Sequence, residues 1–245
     1  MEDNPSMEHE FGCERPVMEA GTSQSLDNVE TEVRWREKSW SVIGVGSAGC
    51  NMVQSFAKVG LSGNGCYIFL DSESVALAHH ARTEGGQGGK TNTQFHLLGQ
   101  SGYGMGSNSD LGRSATIAVT GDLLPAIAES DIVFVLAGLG GGTGSGGAPV
   151  IAATAKSYGA FVVALVTLPF EFEGQYPRTN AIESLEELRG IADQIAILEL
   201  HGLFASKHYN SPQDVAFNAV DLAMIAYANR VCVGRTMAPE TWITL

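Results

Sequence analysis

Gly138-Leu-Gly-Gly-Gly142-Thr143-Gly144-Ser145-Gly146-Gly147 places seven glycines in ten positions. Just before it, Ser130-Asp-Ile-Val-Phe-Val-Leu-Ala137 is a mostly apolar run of strand length. Just after it, Ala148 to Ser157 reads as a helix with Pro149 in its first turn. Strand, glycine loop and helix in that order let backbone amides gather round an anion. Each glycine costs roughly 0.5–1 kcal/mol against alanine in backbone entropy, so seven represent roughly 4–7 kcal/mol. A plain connector has no reason to carry that cost. A loop of amides folded round a di- or triphosphate has one, with the Thr143 and Ser145 hydroxyls as further donors.

Outward from this loop the same texture repeats. Trp40 to Val45, Cys66 to Leu70, Ala160 to Thr167 and Gln194 to Leu200 read as buried strands, and Asn51 to Val59 and Thr179 to Ile191 as helices. The last helix has Ser211 as N-cap, Pro212 at its first position and Asp214 in its first turn, and runs to Val233 with Gly234 as its stop. Strands apolar on both faces, alternating with helices, predict an α/β fold: a Rossmann-like parallel sheet with helices on both faces, ending after this last helix.

A second glycine loop, Gly44-Val-Gly46-Ser-Ala-Gly49-Cys-Asn51, also follows a strand and opens a helix. Alone it fits a dinucleotide site, because Asp71 ends the next strand 22 residues after Gly49. An NAD-dependent Rossmann oxidoreductase, with Asp71 on a ribose, therefore stands as a rival. The loop at Gly138 to Gly147 weighs against it, since a dinucleotide fold needs the first loop alone.

The 245 residues carry a net charge of −13, which argues against nucleic acid or an anionic membrane as a general partner. It does not argue against an anionic ligand held by backbone amides. Residues 1–38 hold ten acidic and four basic residues with little apolar periodicity, and read as an acidic disordered extension. Cys13, Cys50, Cys66 and Cys232 form no metal or disulfide pattern. No signal peptide and no transmembrane run is seen, so the chain reads as cytoplasmic. Glu84-Gly-Gly-Gln-Gly-Gly-Lys90-Thr91 nearly spells a P-loop, but no strand feeds it and it reads as a surface loop. His79-His80 lacks companions at metal-ligand spacing.

Five motifs together resemble the FtsZ/tubulin family. Gly140-Gly-Gly-Thr-Gly-Ser-Gly146 looks like the tubulin signature, and Gly44 to Asn51 like the first nucleotide loop of archaeal members. Gly102-Tyr-Gly-Met-Gly-Ser-Asn-Ser-Asp-Leu-Gly-Arg113 resembles the loop that closes over the terminal phosphate. Pro169-Phe-Glu-Phe-Glu-Gly174 resembles the ribose loop, and Ala216-Phe-Asn-Ala-Val-Asp221 the guanine-reading stretch of the central helix. The resemblance implies that GTP or GDP, with Mg²⁺, is held by Gly46, Ser47, Ala48, Gly49 and Asn51, by Gly104, Met105, Gly106 and Ser107, and by Gly140, Gly141, Gly142, Thr143, Gly144 and Ser145. It further implies Glu173 on the ribose, Arg178 on a phosphate or the ribose, and Phe217 and Asp221 on the base. The last two lie four apart on one helix face, where a ring can stack on a purine and a carboxylate can accept from the N1–H and N2 amino group of guanine.

Three departures from the family pattern qualify this. Pro177 stands where the family has an Arg, so Arg178 falls one position late; Ser109 replaces the usual Pro after Asn108. After the central helix the family places an acidic loop that enters the next subunit's site, whereas residues 237–245 hold Glu240 alone and outside that context. The expected organisation is thus the extension at 1–38, a GTP-binding domain at 39–236 and a truncated tail at 237–245. The expected function is an FtsZ-like cytoskeletal or cell-division GTP-binding protein that assembles head to tail with itself or FtsZ-type subunits, incomplete for hydrolysis on its own. A non-hydrolysing regulator or cap of such filaments is the alternative.

Overall fold

The computed structural model describes residues 38–61, 63–84, 92–199, 213–232, 234 and 238–243, with backbone alone at 84, 199 and 213–220. The expectations for the acidic extension, for the P-loop-like segment after Glu84, and for Ser211 and Pro212 lie outside these residues.

Among the described residues seven strands run parallel: β1 (Ser39–Val45), β2 (Asn64–Asp71), β3 (Asn92–Leu97), β4 (Ile132–Gly138), β5 (Phe161–Leu168), β6 (Gln194–Glu199) and β7 (Glu240–Ile243). Their order is β3-β2-β1-β4-β5-β6-β7. The interior strand β1 pairs Ile43 with Ile68 on one side and with Val135 on the other. These residues are fully buried, as expected for strands covered on both faces.

The helices are α1 (Gly46–Val59), α2 (Ser74–Glu84), α3 (Ser109–Ala128), α4 (Gly142–Ser157), α5 (Gln175–Ile191) and α6 (Gln213–Cys232). On one face of the sheet, Leu123 and Ile127 of α3, Ile151 and Ala155 of α4, and Leu185 and Leu188 of α5 pack on Ile43, Val135 and Val166. On the other, Val53 and Phe56 of α1, Leu77 of α2, and Met224 and Ala228 of α6 pack on Tyr67, Phe134 and Leu165. Helix α1 buries Gly49, Met52, Val53 and Phe56, the i, i+3, i+4, i+7 spacing of a single stripe.

Two expectations need correction. The helix predicted from Ala148 begins six residues earlier, at Gly142, so the glycine signature forms its first turns and Pro149 lies inside it. Tertiary contact overrides the poor helix propensity of glycine there. The sheet also does not end after the last helix: Glu240 to Ile243, expected as tail, pair in parallel with Ile195 to Leu198. Elements α2, β3 and α3 were not predicted by the patterning.

Candidate functional site

The chain runs from β1 outward to β3, then returns to place β4 on the other side of β1. Between β1 and β4 the connections leave in opposite directions, which opens a crevice beyond the carboxyl ends of the strands. A cavity of about 410 Å³ lies there, against the ends of β1, β2, β4 and β5.

Two helices point their N-termini into it. Helix α1 starts at Gly46 and α4 at Gly142, and neither carries a side-chain cap. Gly142 N–H is taken by Gly106 O, but no side chain caps the other amides of these first turns, and the two helix ends present partial positive charge to the cavity. The two ends touch. A Cβ on Gly46, which sits at φ +74°, would lie 3.2 Å from the Gly144 nitrogen.

Side chains fix these ends from outside. Ser47 Oγ donates to Asp71 Oδ2 at 2.8 Å, and the hydroxyls of Ser72 and Thr143 share a hydrogen bond at 2.7 Å. The glycine-rich loop before α3 is tied down on both flanks. Gly104 N–H donates to Ser72 O at 3.0 Å, and Gly142 N–H donates to Gly106 O at 3.0 Å. Asn108 caps α3, accepting from Leu111 N–H at 3.0 Å, so the absent proline at position 109 costs the helix no start signal.

Of the residues anticipated from sequence, Gly46, Ser47, Ala48, Gly104, Met105, Gly106, Gly141, Gly142, Thr143, Gly144 and Glu173 line the cavity. Glu173 sits there with Oε1 accepting from Phe170 N–H at 2.8 Å. The others stand back from it. Gly49 packs against β4, where a Cβ would come within 2.3 Å of Leu136 O. Ser145 Oγ accepts from Gly140 N–H at 2.7 Å, bracing the signature from behind. Asn51 is exposed one turn along α1, and Arg178 lies in α5 off the cavity wall. Ser107 turns its carbonyl to Asn180. Asp221 is half-buried between α6 and α1 and accepts from Ser55 Oγ at 2.5 Å; burial raises its pKa, with Ser55 and Lys58 opposing. Phe217 belongs to α6, and its side chain lies outside the described residues.

The glycine cost therefore has a second reason beyond an anion. A Cβ on Gly142 would come within 2.6 Å of Gly106 O and Asn108 O, and one on Gly146 within 2.0 Å of Ser109 O. These glycines let the backbones of α3 and α4 meet.

Sequence reasoning passed over Glu73, Ser72, Tyr103 and Asn180, and weighed Asp71 in the dinucleotide reading alone. Asp71-Ser-Glu73 at a strand end was the available signal; Asn180 had none. Among the described residues, Asp71, Glu73 and Glu173 are the charged ones lining the cavity, and no Lys or Arg joins them. Elsewhere, His80 is buried against Phe69, and no group of three or more potential metal ligands occurs among the described residues. No described helix is long and apolar enough to cross a membrane.

A family model, described as "Tubulin/FtsZ family, GTPase domain", matches residues 39–206. The chain belongs to the Tubulin/FtsZ family. This relative of FtsZ is 38% identical over 180 residues to cell division protein FtsZ 1 of Halobacterium salinarum, a match covering 72% of this chain and 42% of that protein. It is 36% identical over 213 residues to FtsZ 1 of Archaeoglobus fulgidus, covering 85% and 55%. Among solved structures it resembles an FtsZ dimer from M. jannaschii (TM-score 0.67, 30% identity, 85% of this chain and 59% of that one). It also resembles a GTPγS-bound protofilament of CetZ2 from Haloferax volcanii (TM-score 0.65, 26% identity, 82% and 60%). The FtsZ-like chain spans about half the length of the curated relatives it matches. The oxidoreductase expectation receives no support from any of these matches.

Proposed function

We propose that this chain binds guanosine di- and triphosphate in the cavity between β1 and β4, as the nucleotide-binding part (39–236) of an FtsZ-like, cytoplasmic subunit that associates head to tail. The observation that carries this reading is the convergence of two uncapped helix N-termini on one cavity at the strand-order switch.

The phosphates lie on the amides of the first turns of α1 and α4, with Gly104 to Gly106 over the terminal one. The lining carboxylates would repel a polyanion, so a divalent cation between them and the phosphates fits the donors present. Asp71, Glu73 and the Thr143 hydroxyl would hold Mg²⁺, with phosphate oxygens and water completing its shell. Bound there, the ion offsets the charge of the β- and γ-phosphates. The base reaches Asp221 along α1. From Ser47 at the cavity to Ser55 beside Asp221 is eight residues, about 12 Å of helix, the scale on which a nucleotide separates phosphate from base. Glu240 takes no part in the cavity; Arg189 holds it at the β7 edge of the sheet.

Calorimetry with GDP, GTP, ATP and NAD, each with and without Mg²⁺, tests this. Tight, Mg²⁺-assisted binding of the two guanine nucleotides is expected, lost in Gly141→Val and without base preference in Asp221→Ala. Binding of NAD alone, or guanine-nucleotide binding unchanged in both variants, overturns it. Pelleting with and without a full-length FtsZ separates a self-assembling subunit from one that caps the filaments of another.

A further inference from the structure

Asn180 sits on the second turn of α5, away from the cavity, and is buried. Its Nδ2 donates to Ser107 O at 2.7 Å and to Gly140 O at 3.1 Å. Both partners are carbonyls, which accept and cannot donate, so the amide nitrogen is the end that faces them. One side chain thus uses both of its hydrogens to join two loops from different parts of the chain. Ser107 belongs to the loop expected over the terminal phosphate, and Gly140 to the loop beneath the phosphates.

These bonds constrain backbone that a mobile loop would leave free. Gly104 and Gly106 both have positive φ, at +83° and +55°, so this segment has the conformational range to open. Besides Asn180, a single bond from Gly142 N–H to Gly106 O ties it to the signature. With Asn180 in place, the protein's own hydrogen bonds hold the loop over the cavity.

We infer that Asn180 is a positioning residue that sets the preference for nucleoside triphosphate over diphosphate by holding the 104–108 loop against the signature. The inference rests on the proposed guanine-nucleotide site. The diphosphate is held by the first turns of α1 and α4, and Asn180 meets the second of these only through the Gly140 carbonyl just ahead of it. The terminal phosphate is the group that needs the loop. Loss of the clip therefore weakens triphosphate binding selectively, because the loop must then be ordered by the ligand itself.

Asn180→Asp keeps the shape and removes both donors. Affinities of wild type and variant are measured by calorimetry for GDP and for a non-hydrolysable GTP analogue, with Mg²⁺ present. The ratio of triphosphate to diphosphate affinity should fall about tenfold, the effect of leaving buried acceptors unpaired, while the GDP affinity stays within about threefold of wild type. A merely structural role would weaken both nucleotides in parallel, leave the ratio unchanged, and sink the inference. Asn180→Ser, whose smaller side chain admits water between the carbonyls, gives the same test if the aspartate variant does not fold; its ratio should fall less. Failure of wild type to bind either guanine nucleotide would instead refute the proposed site itself.

Discussion

Ser47 at the start of α1 donates its hydroxyl to Asp71 at the end of β2, so the first turn of α1 is braced by a carboxylate within the cavity wall. Asp71 is 1% exposed and also accepts from Glu73 N–H at 3.2 Å. Its two oxygens thus organise the cavity and at the same time charge it negatively.

Binding of guanine nucleotide should therefore depend on a divalent cation through Asp71. In wild type, GDP affinity rises with Mg²⁺ at constant ionic strength. Asp71→Asn keeps an acceptor for Ser47 and removes the charge, so without Mg²⁺ it should bind about three- to tenfold more tightly than wild type, and its response to Mg²⁺ should flatten. Equal Mg²⁺ responses in the two proteins would show that Asp71 does not face the ion.

The glycines of the α3–α4 contact should differ sharply from those that face open space. Gly146→Ala drives a Cβ into the backbone of Ser109 and Arg113, and should cost about 3 kcal/mol or more in urea denaturation. Gly121→Ala, on the exposed side of α3 with nothing within 4 Å, should stabilise by about 0.5–1 kcal/mol. Similar values at the two sites would mean that α3 and α4 do not meet through bare backbone.

Acid should weaken the fold through His80. Its Nδ1 is buried without a hydrogen-bond partner. Burial holds the ring below its ordinary value of 6.5, with His79 and Lys58 adding to the shift and Asp71 opposing it. The unfolded chain then takes up this proton first. The stability due to neutral His80 is complete above about pH 6.5 and is lost as pH falls toward the lower folded value. Between about pH 7.5 and pH 5.5, wild type should lose more stability than His80→Met, compared by urea midpoints. Parallel pH profiles would remove His80 from the account.

Strand β7 should depend on one ion pair. Arg189 grips Glu240 with Nε and Nη2, both at 2.8 Å, and Trp242 Nε1 donates to the same carboxylate at 3.0 Å. The bond from Arg189 holds Glu240 below its ordinary value of 4.5, so this stabilisation is present above that pH and is lost as pH falls through the folded value. A double-mutant cycle with Arg189→Met and Glu240→Gln should give a coupling of about 1–2 kcal/mol, with faster amide exchange at 240–243 in either single variant. Zero coupling would leave β7 held by its ladder and by Trp242.

Legibility followed burial. The cores of β1, β2, β4, β5 and β6 were readable because burial on both faces demands an unbroken apolar run. β3, buried less completely through residues such as Thr93 and Gln94, shows no such run, and β7 is four residues long. Helix α3 escaped notice because Gly112, Gly121 and Pro125 interrupt its pattern. At the site, glycine density marked the loops at Gly44 to Gly49 and Gly102 to Gly112 and the signature. It could not tell glycines that face the cavity, such as Gly141, from Gly146, which makes room for another helix.

From the order of its residues alone, this chain determined its class, its glycine loops and its family, because apolar periodicity and glycine spacing are local properties written within a dozen positions. Tertiary structure alone decided where α4 begins, that a seventh strand joins the sheet, and that Asn180 ties together carbonyls 73 and 40 residues away. Those outcomes depend on which backbones come within hydrogen-bond reach once the sheet order is set, and no local pattern encodes that distance.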